Sequence, residues 1–271
     1  MAEQLNGKVA VVTGSSSGLG EAVAVLFASQ GAKVTLCGRN EERLRSVLEK
    51  VVKASGGHED RFLTVQGDLN DKNVRKEIVE KTVEKFGRLD ILVPSAGVIH
   101  RNQSISTASE EIYDDIMDTN LKSVFFLIQE AVPYLEKTKG TIINVSSATT
   151  HMAIPAVTVS LLSKVALDHL TKCLAVDLGA KGIRVNSVNP GFFPTRIMRY
   201  FGDDVEKINS SVIAFEEDKA VLRGRVGTVE DFAQAALFLA SDAAGFITGE
   251  LLKVDGGRSY GGQFALQAIE M

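Results

Sequence analysis

The stretch that decides the fold is KVAVVTGSSSGLG, residues 8–20. Lys8–Thr13 is a short run rich in valine, and the glycine-rich turn after it leads directly into a segment with helical periodicity. Glycines suit such a turn because a Cβ would clash there or hold a phosphate away from the backbone amides. A helix N-terminus also carries partial positive charge. The stretch therefore predicts a dinucleotide site, with a purely structural glycine turn as the alternative.

The rest of the chain alternates between strand-like and helix-like segments. Predicted strands cover Lys8–Thr13, Lys33–Cys37, Phe62–Gln66, Ile91–Val93, Gly140–Val145, Arg184–Val188 and Glu250–Val254. Predicted helices lie near 19–30, 40–55, 70–86, 107–137, 156–180 and 228–240. Six of the strands show no clear alternation of apolar and polar residues, which is typical of strands covered on both faces. We therefore predict one doubly wound, Rossmann-type parallel sheet of about seven strands, with helices on both faces.

Helix starts are predicted where a threonine precedes an acid by three residues, at Thr107 with Glu110 and at Thr228 with Asp231. No linker or repeat divides residues 1–271, so we expect a single domain. Residues 190–227 form a long insertion between a strand and a helix, and an insertion of this kind is often a lid over a site. The tail, 256–271, is expected to be a subunit contact or a loose end.

Composition excludes several classes of function. A net charge of −4 gives no electrostatic reason to expect a nucleic acid or an anionic membrane as partner. No apolar run approaches the roughly 20 residues of a membrane span, and the N-terminus lacks a signal-peptide pattern. The two cysteines, Cys37 and Cys173, imply no disulfide framework and are expected to be small buried side chains. We expect a cytoplasmic protein without a metal site.

The motifs resemble those of the short-chain dehydrogenase/reductase family over residues 5–260. The first is the spacing Thr-Gly-x-x-x-Gly-x-Gly at 13–20, and the others follow in order: Gly67-Asp68-Leu69, Asp118-Thr119-Asn120, the run 142–147 that ends in Ser146-Ser147, Asn189-Pro190-Gly191 with Thr195, and Asp255-Gly256-Gly257. The resemblance implies cofactor-binding residues Gly14, Ser16, Ser17, Gly18, Leu19, Gly20, Arg39, Asp68, Leu69, Ala96, Gly97, Lys164, Pro190, Gly191 and Thr195. It also implies a homo-oligomer, a dimer or a tetramer.

The end of the second predicted strand bears on the choice of cofactor. An acid there binds the free ribose hydroxyls of NAD, whereas an arginine accommodates the 2′-phosphate of NADP. This chain has Gly38 in the acid's place, followed by Arg39. NADP(H) is therefore favoured over NAD(H), although Ser17 stands where many NADP enzymes carry a second basic residue. The alternative is a solvated Arg39 paired with Glu41 or Glu42.

The catalytic signature of the family is incomplete in this chain. The resemblance assigns Asn120, Ser147, Ser160 and Lys164 to the catalytic positions, but the family has a tyrosine where Ser160 stands, four residues before Lys164 and thirteen after Ser147. No tyrosine occurs between Tyr134 and Tyr200. An aliphatic hydroxyl is a far weaker acid than a phenol, so the usual proton transfer is not expected to run unchanged. Pro94 and Ser95 also depart from the Asn-Asn pair that commonly precedes Ala-Gly.

Several readings of the function stay open. The first is an NADP(H)-dependent oxidoreductase acting on a carbonyl or alcohol, with His100, His151 or Tyr200 as a possible replacement acid, or with none of them in that role. The second is a non-catalytic nucleotide-binding protein that acts as a sensor or partner subunit, and the third is an isomerase or lyase. An apolar substrate is suggested by residues of the insertion, which an ordinary amphipathic helix would explain equally well: Phe192, Phe193, Ile197, Met198, Tyr200, Phe201, Val212, Ile213 and Phe215.

Overall fold

Seven parallel strands form one sheet in a computed structural model that describes residues 3–222 and 224–260. The strands are β1 Val9–Thr13, β2 Lys33–Gly38, β3 Phe62–Gln66, β4 Ile91–Pro94, β5 Thr141–Val145, β6 Arg184–Pro190 and β7 Leu251–Val254. The helices are α1 Gly18–Ser29, α2 Glu41–Ala54, α3 Lys72–Phe86, α4 Glu110–Met117, α5 Ser123–Thr138, α6 Thr158–Gly179, α7 Val205–Lys219 and α8 Val229–Ala240. Every predicted strand is present, with ends that differ by at most two residues.

The strand order is β3-β2-β1-β4-β5-β6-β7. The order reverses between β1 and β4, and in open α/β sheets ligands bind at such a switch point, beyond the carboxyl ends of the strands. The predicted doubly wound sheet with helices on both faces is confirmed.

The buried strands explain why the sequence shows no alternation. Along β1, Val11 faces a core formed with α3, α5 and α6, whereas Ala10 and Val12 face a core formed with α1, α2 and α8. All three side chains are fully buried. Both faces of the strand are covered, so apolar residues are required at successive positions.

One of the two predicted helix starts is wrong. Thr228 and Asp231 do form a reciprocal capping box at α8, as predicted. Thr107 does not cap a helix, because its hydroxyl pairs with Ser104 at 2.8 Å within a turn. The hydroxyl of Ser109 instead accepts a hydrogen bond from the Ile112 amide, and α4 begins at Glu110.

The two cysteines have different surroundings. Cys37 is buried, as expected, and burial, followed by the negative charges of Asp68 and Glu77, raises the pKa of its thiol to about 12. Cys173 is exposed, so that expectation was wrong, because this position of α6 faces away from both cores. Within residues 3–222 and 224–260, no helix combines the length and hydropathy needed for a bilayer span. Most of the predicted tail, from residue 261 onward, lies outside the described residues.

The insertion has its own secondary structure. Residues 191–228 connect β6 to α8 and contain a 3-10 helix at Arg196–Phe201 and the whole of α7. We call residues 192–222 the lid segment. Thr195 caps the 3-10 helix, and its carbonyl accepts a hydrogen bond from Asn209 of α7 at 3.3 Å, so the two parts of the segment are tied together.

Candidate active site

A cavity of about 480 Å³ opens at the carboxyl ends of the strands, next to the switch point between β1 and β4. All eighteen residues predicted to bind cofactor or take part in catalysis line it. They are Gly14, Ser16, Ser17, Gly18, Leu19, Gly20, Arg39, Asp68, Leu69, Ala96, Gly97, Asn120, Ser147, Ser160, Lys164, Pro190, Gly191 and Thr195. Segments from one end of the chain to the other thus converge on a single cleft.

The glycines between β1 and α1 are required by close backbone approach. Gly14 has φ +64°, and a Cβ there would lie 2.7 Å from the Cα of Ala96. A Cβ at Gly20 would lie 2.6 Å from the carbonyl oxygen of Gly14. The side chain of Ser17 makes no capping hydrogen bond to α1, so it does not occupy the helix N-terminus. The turn therefore presents bare backbone amides to the cavity.

We expect Gly20→Ala to lower the free energy of unfolding by about 1–3 kcal/mol, because backbone must shift to admit the new methyl group. Denaturant unfolding measures this change. The matched control is Gly179→Ala at the end of α6, where a Cβ meets nothing within 4 Å. That variant should be neutral or slightly more stable, and an equal loss in both variants would contradict the steric explanation.

The end of β2 is tightly packed at Gly38, the position where an acid would stand. A Cβ at Gly38 would lie 3.0 Å from both Cβ and Oγ of Ser16. Arg39, the next residue, makes one long ion pair with Asp68 at 3.5 Å, and both side chains are about half exposed. An exposed pair of this length contributes little. The guanidinium of Arg39 is therefore available to a stronger anionic partner.

Asn120 holds the loop that follows β4. It lies in a turn of π-helix, Asp118–Lys122, between α4 and α5, and it is almost fully buried. Its Oδ1 accepts a hydrogen bond from the Val98 amide at 2.8 Å, and its Nδ2 donates to the Val98 carbonyl and to Ser163 Oγ. A Cβ at Gly97 would lie 3.3 Å from Asn120 Oδ1 and 3.9 Å from Lys164 Nζ. Asn120 and Lys164 therefore flank the same short stretch of backbone.

Lys164 is the cation among the residues predicted at the catalytic positions. Its Nζ donates a hydrogen bond to the Val145 carbonyl at 2.7 Å. Burial lowers the pKa of its ammonium to about 8, and the nearby carboxylate of Asp168 partly opposes this shift. A lysine with such a pKa exchanges protons near neutral pH, as a general acid or base must.

Two hydroxyl groups share the cavity lining with Lys164. Ser147 Oγ is 2.7 Å from Thr149 Oγ1 and accepts a hydrogen bond from the Thr149 amide. Ser160, one helical turn before Lys164 on α6, is buried, and its Oγ has no hydrogen-bond partner among the described residues. A buried hydroxyl without a partner costs free energy unless a ligand satisfies it.

Known proteins are similar to this sequence along nearly the whole chain. The family model described as Enoyl-(Acyl carrier protein) reductase matches residues 14–259. The 3-oxoacyl-(acyl-carrier-protein) reductase FabG of Thermotoga maritima is 36% identical over 255 residues, covering 94% of this chain and 98% of that protein. Tropinone reductase-like 3 of Erythroxylum coca is 35% identical, covering 94% of each chain. The chain belongs to the short-chain dehydrogenase/reductase family.

A solved structure agrees. A short-chain dehydrogenase/reductase of unknown function from Caenorhabditis elegans, solved with cofactor, superimposes with a TM-score of 0.91 at 32% identity. The match covers 98% of this chain and 99% of that one. The relatives that match this family member are named as reductases and dehydrogenases, so it belongs among oxidoreductases.

Three residues considered as replacement acids do not line the cavity of this short-chain dehydrogenase/reductase: His100, His151 and Tyr200. His151 is exposed. His100 Nε2 is 2.6 Å from Asp115 Oδ2, and its ring packs edge-on against Tyr200, with 4.9 Å between the ring centroids. These contacts favour the alternative that His100 and Tyr200 pack against each other and do not act as the acid.

Three residues that sequence reasoning did not single out support the site: Gln103, Asp168 and Thr149. Gln103 is fully buried, and its Oε1 accepts a hydrogen bond from the Ser160 amide at 2.8 Å. Because Val157 before α6 offers no capping side chain, Gln103 caps this helix from 57 residues away. The carboxylate of Asp168 accepts hydrogen bonds from Asn189 Nδ2 at 3.0 and 3.2 Å, and the same amide donates to the Ser147 carbonyl. Thr149, through its contact with Ser147, is the third.

The apolar residues of the lid segment divide into two groups. Four line the cavity: Phe192, Phe193, Ile197 and Met198. The other five do not: Tyr200, Phe201, Val212, Ile213 and Phe215. Phe193 is buried and packs its ring against Phe232 of α8. The suggestion of an apolar substrate therefore rests on residues 192–198 and not on α7.

Proposed function

We propose that this protein is an NADP(H)-dependent oxidoreductase that interconverts a carbonyl and an alcohol, with an atypical active site in which Ser160 replaces the tyrosine of the family. The observation that carries the proposal is the single cavity shared by the glycine turn, Arg39, and Asn120, Ser147 and Lys164. On this proposal the chain forms one dinucleotide-binding domain, residues 190–227 cover the substrate, and the protein works as a dimer or tetramer.

The residues of the cavity fit a phosphorylated dinucleotide. The glycine turn forms a cradle that a Cβ at Gly14 or Gly20 would fill, as a pyrophosphate site requires. Gly38 stands where an acid would bind free ribose hydroxyls, a Cβ there would lie only 3.0 Å from Ser16, and Arg39 follows it. Lys164 and Thr195 also line the cleft, and on this proposal they would hold the nicotinamide end.

We expect Arg39→Ala to remove most of the preference for NADPH over NADH, which in the unmodified protein should be tenfold or greater. A charge-assisted contact to phosphate is worth about 1.5–3 kcal/mol, which corresponds to this ratio. Calorimetric titration with each nucleotide measures it. Arg45→Ala is the control, since Arg45 is exposed on the neighbouring helix and does not line the cavity. Equal affinity for both nucleotides in the unmodified protein would contradict the NADP(H) assignment.

Lys164 supplies the proton in the reaction that we propose. A nicotinamide dinucleotide held by the glycine turn, Arg39 and Lys164 would supply the hydride for the carbonyl carbon. As negative charge develops on the carbonyl oxygen, the Ser147 hydroxyl donates a hydrogen bond to it, and the Lys164 ammonium donates the proton that completes the alcohol. Lys164 lines the cavity, and its pKa of about 8 lies near neutrality. Ser160 offers its unpartnered hydroxyl to the substrate oxygen.

A non-catalytic nucleotide-binding protein is the second candidate, and the aliphatic hydroxyl at Ser160 favours it. The two candidates differ in turnover and not in binding, because neither the glycine turn nor Arg39 depends on residue 160. The test is calorimetry with NADPH, followed by a panel of carbonyl substrates monitored by nicotinamide absorbance. Tight binding with reduction of at least one carbonyl supports the enzyme, and tight binding without turnover supports the sensor or partner subunit.

A further inference from the structure

Four arginines from two separate parts of the chain line the same cavity. Arg39 and Arg43 come from the end of β2 and the first turn of α2, and Arg196 and Arg199 come from the 3-10 helix of the lid segment. Among the described residues only Arg39 of the four makes an ion pair, with Asp68 at 3.5 Å. The cavity therefore has a concentration of positive charge that the protein does not neutralise.

The other carboxylates of the cavity lining are engaged elsewhere. Glu216 pairs with Arg258 at 2.7 Å. Both oxygens of Asp255 accept hydrogen bonds from the amides of Gly257 and Ser259, each at 2.9 Å. Asp68 is thus the carboxylate left to face the arginine cluster, and one of its oxygens already accepts from the Asn70 amide.

Arg43 lies close to the arginines of the lid segment. Its Nε is buried and has no hydrogen-bond partner among the described residues. Burial lowers the pKa of its guanidinium, the positive charges of Arg196, Arg199 and Arg39 lower it further, and Glu42 opposes them. Like charges this close repel one another, and a buried N–H without an acceptor adds to the cost, so both observations indicate a site shaped for an anion.

Tyr200 connects the lid segment to Arg39 at the end of β2. The guanidinium of Arg199 lies over the Tyr200 ring at 4.3 Å and donates a hydrogen bond to its hydroxyl at 3.1 Å. Partial burial works to lower the pKa of Arg39, but the Tyr200 hydroxyl and Asp68 outweigh it and raise that pKa. The first turn of the lid segment therefore lies against the end of β2, where a ribose phosphate would be held.

We propose that Arg43, Arg196 and Arg199 complete, with Arg39, a site for a phosphate monoester dianion, namely the 2′-phosphate on the ribose of the bound cofactor. This inference rests on the NADP(H) function proposed above. A dianion replaces repulsion between the two pairs of arginines by attraction of both pairs to one centre. The phosphate then holds the lid segment over the cleft, and NADH, which lacks that phosphate, does not.

The test measures binding and lid protection and needs no turnover. Calorimetric affinities are compared for NADPH, NADH, 2′,5′-ADP and 5′-AMP, so that each pair of ligands differs by the one phosphate. The variants are Arg196→Ala, Arg199→Ala and the double variant, with Arg196→Lys and Arg199→Lys as variants that keep the charge. Lys207→Ala is the matched control, because Lys207 is an exposed cation of the lid segment that does not line the cavity.

We expect the double variant to bind NADPH and 2′,5′-ADP about tenfold or more weakly than the unmodified protein does. Its affinity for NADH and 5′-AMP should fall by less than about twofold. The lysine variants should recover part of the loss, and Lys207→Ala should change nothing. In the unmodified protein, NADPH should slow hydrogen exchange of residues 196–201 more than NADH does, and the double variant should lose that difference. Thermal unfolding of each variant verifies that it is folded.

Failure of this inference is distinguishable from failure of the proposed function. If the double variant keeps its full preference for NADPH while Arg39→Ala loses it, the lid arginines do not bind the phosphate and the NADP(H) assignment stands. Equal weakening of NADPH and NADH would overturn the inference as well, because the arginines would then serve only the packing of the segment. If the unmodified protein does not distinguish the two nucleotides, both proposals fall.

Discussion

Ser160→Tyr should raise the rate at which activated carbonyls are reduced, by up to about the 10²–10⁴-fold that a positioned general acid contributes, because its phenol would act together with the Lys164 ammonium. Ser160 lies on α6 one turn before Lys164, it lines the cavity, and its amide is held in place by Gln103. A phenol at this position would project into the cleft beside the Lys164 ammonium. Nearby positive charge lowers the pKa of a phenol, so its proton would be transferred more readily.

The measurement for this variant is kcat/KM for NADPH oxidation with a generic activated carbonyl. Ser160→Phe is the matched control, because it adds the same ring without the hydroxyl. NADPH affinity should change little in either variant, since the glycine turn and Arg39, which hold the phosphates on the proposed function, are unaltered. If the tyrosine and phenylalanine variants reduce the carbonyl at equal rates, proton donation at this position does not limit the reaction.

Lys164→Met should lower the rate of carbonyl reduction by about 10²–10⁴-fold and remove its dependence on pH near neutrality. In the unmodified protein, the Lys164 ammonium has a pKa of about 8. The charged form is the proton donor, so reduction should be fastest below pH 8 and should fall as the pH rises through that value. Oxidation of the alcohol requires the neutral amine and should show the opposite trend, rising through pH 8.

The control for this prediction is Lys164→Arg, which keeps the positive charge but does not lose it in the accessible pH range. The arginine variant should keep most of its nucleotide affinity and lose the proton transfer. Ser147→Ala provides a second comparison, because its hydroxyl is needed as charge develops and its loss should lower kcat with little effect on nucleotide binding. A pH profile that is unchanged in Lys164→Met would show that the proton comes from another group.

The fold and the contents of the cleft were largely predictable because they depend on local patterns. The valines of β1 are apolar at successive positions because both faces of the strand are covered. The glycines after it are required because a Cβ at Gly14 or Gly20 would lie only 2.7 or 2.6 Å from backbone atoms. Helix ends were less predictable. Thr107 and Ser109 are both hydroxyl residues just before a helix, and tertiary packing, with Thr107 paired to Ser104, decides which of them caps it.

The sequence alone determined the class of fold, the nucleotide-binding motif, the absence of an acid at Gly38 and the substitution at Ser160, because each of these can be read from neighbouring residues. Only the tertiary structure decided that Gln103 caps α6, that the histidines lie outside the cavity lining, and that Arg196 and Arg199 approach Arg39 and Arg43. These contacts join residues tens or more than a hundred positions apart. Their partners are chosen by the packing of the sheet and the path of the lid segment, which no local pattern of residues specifies.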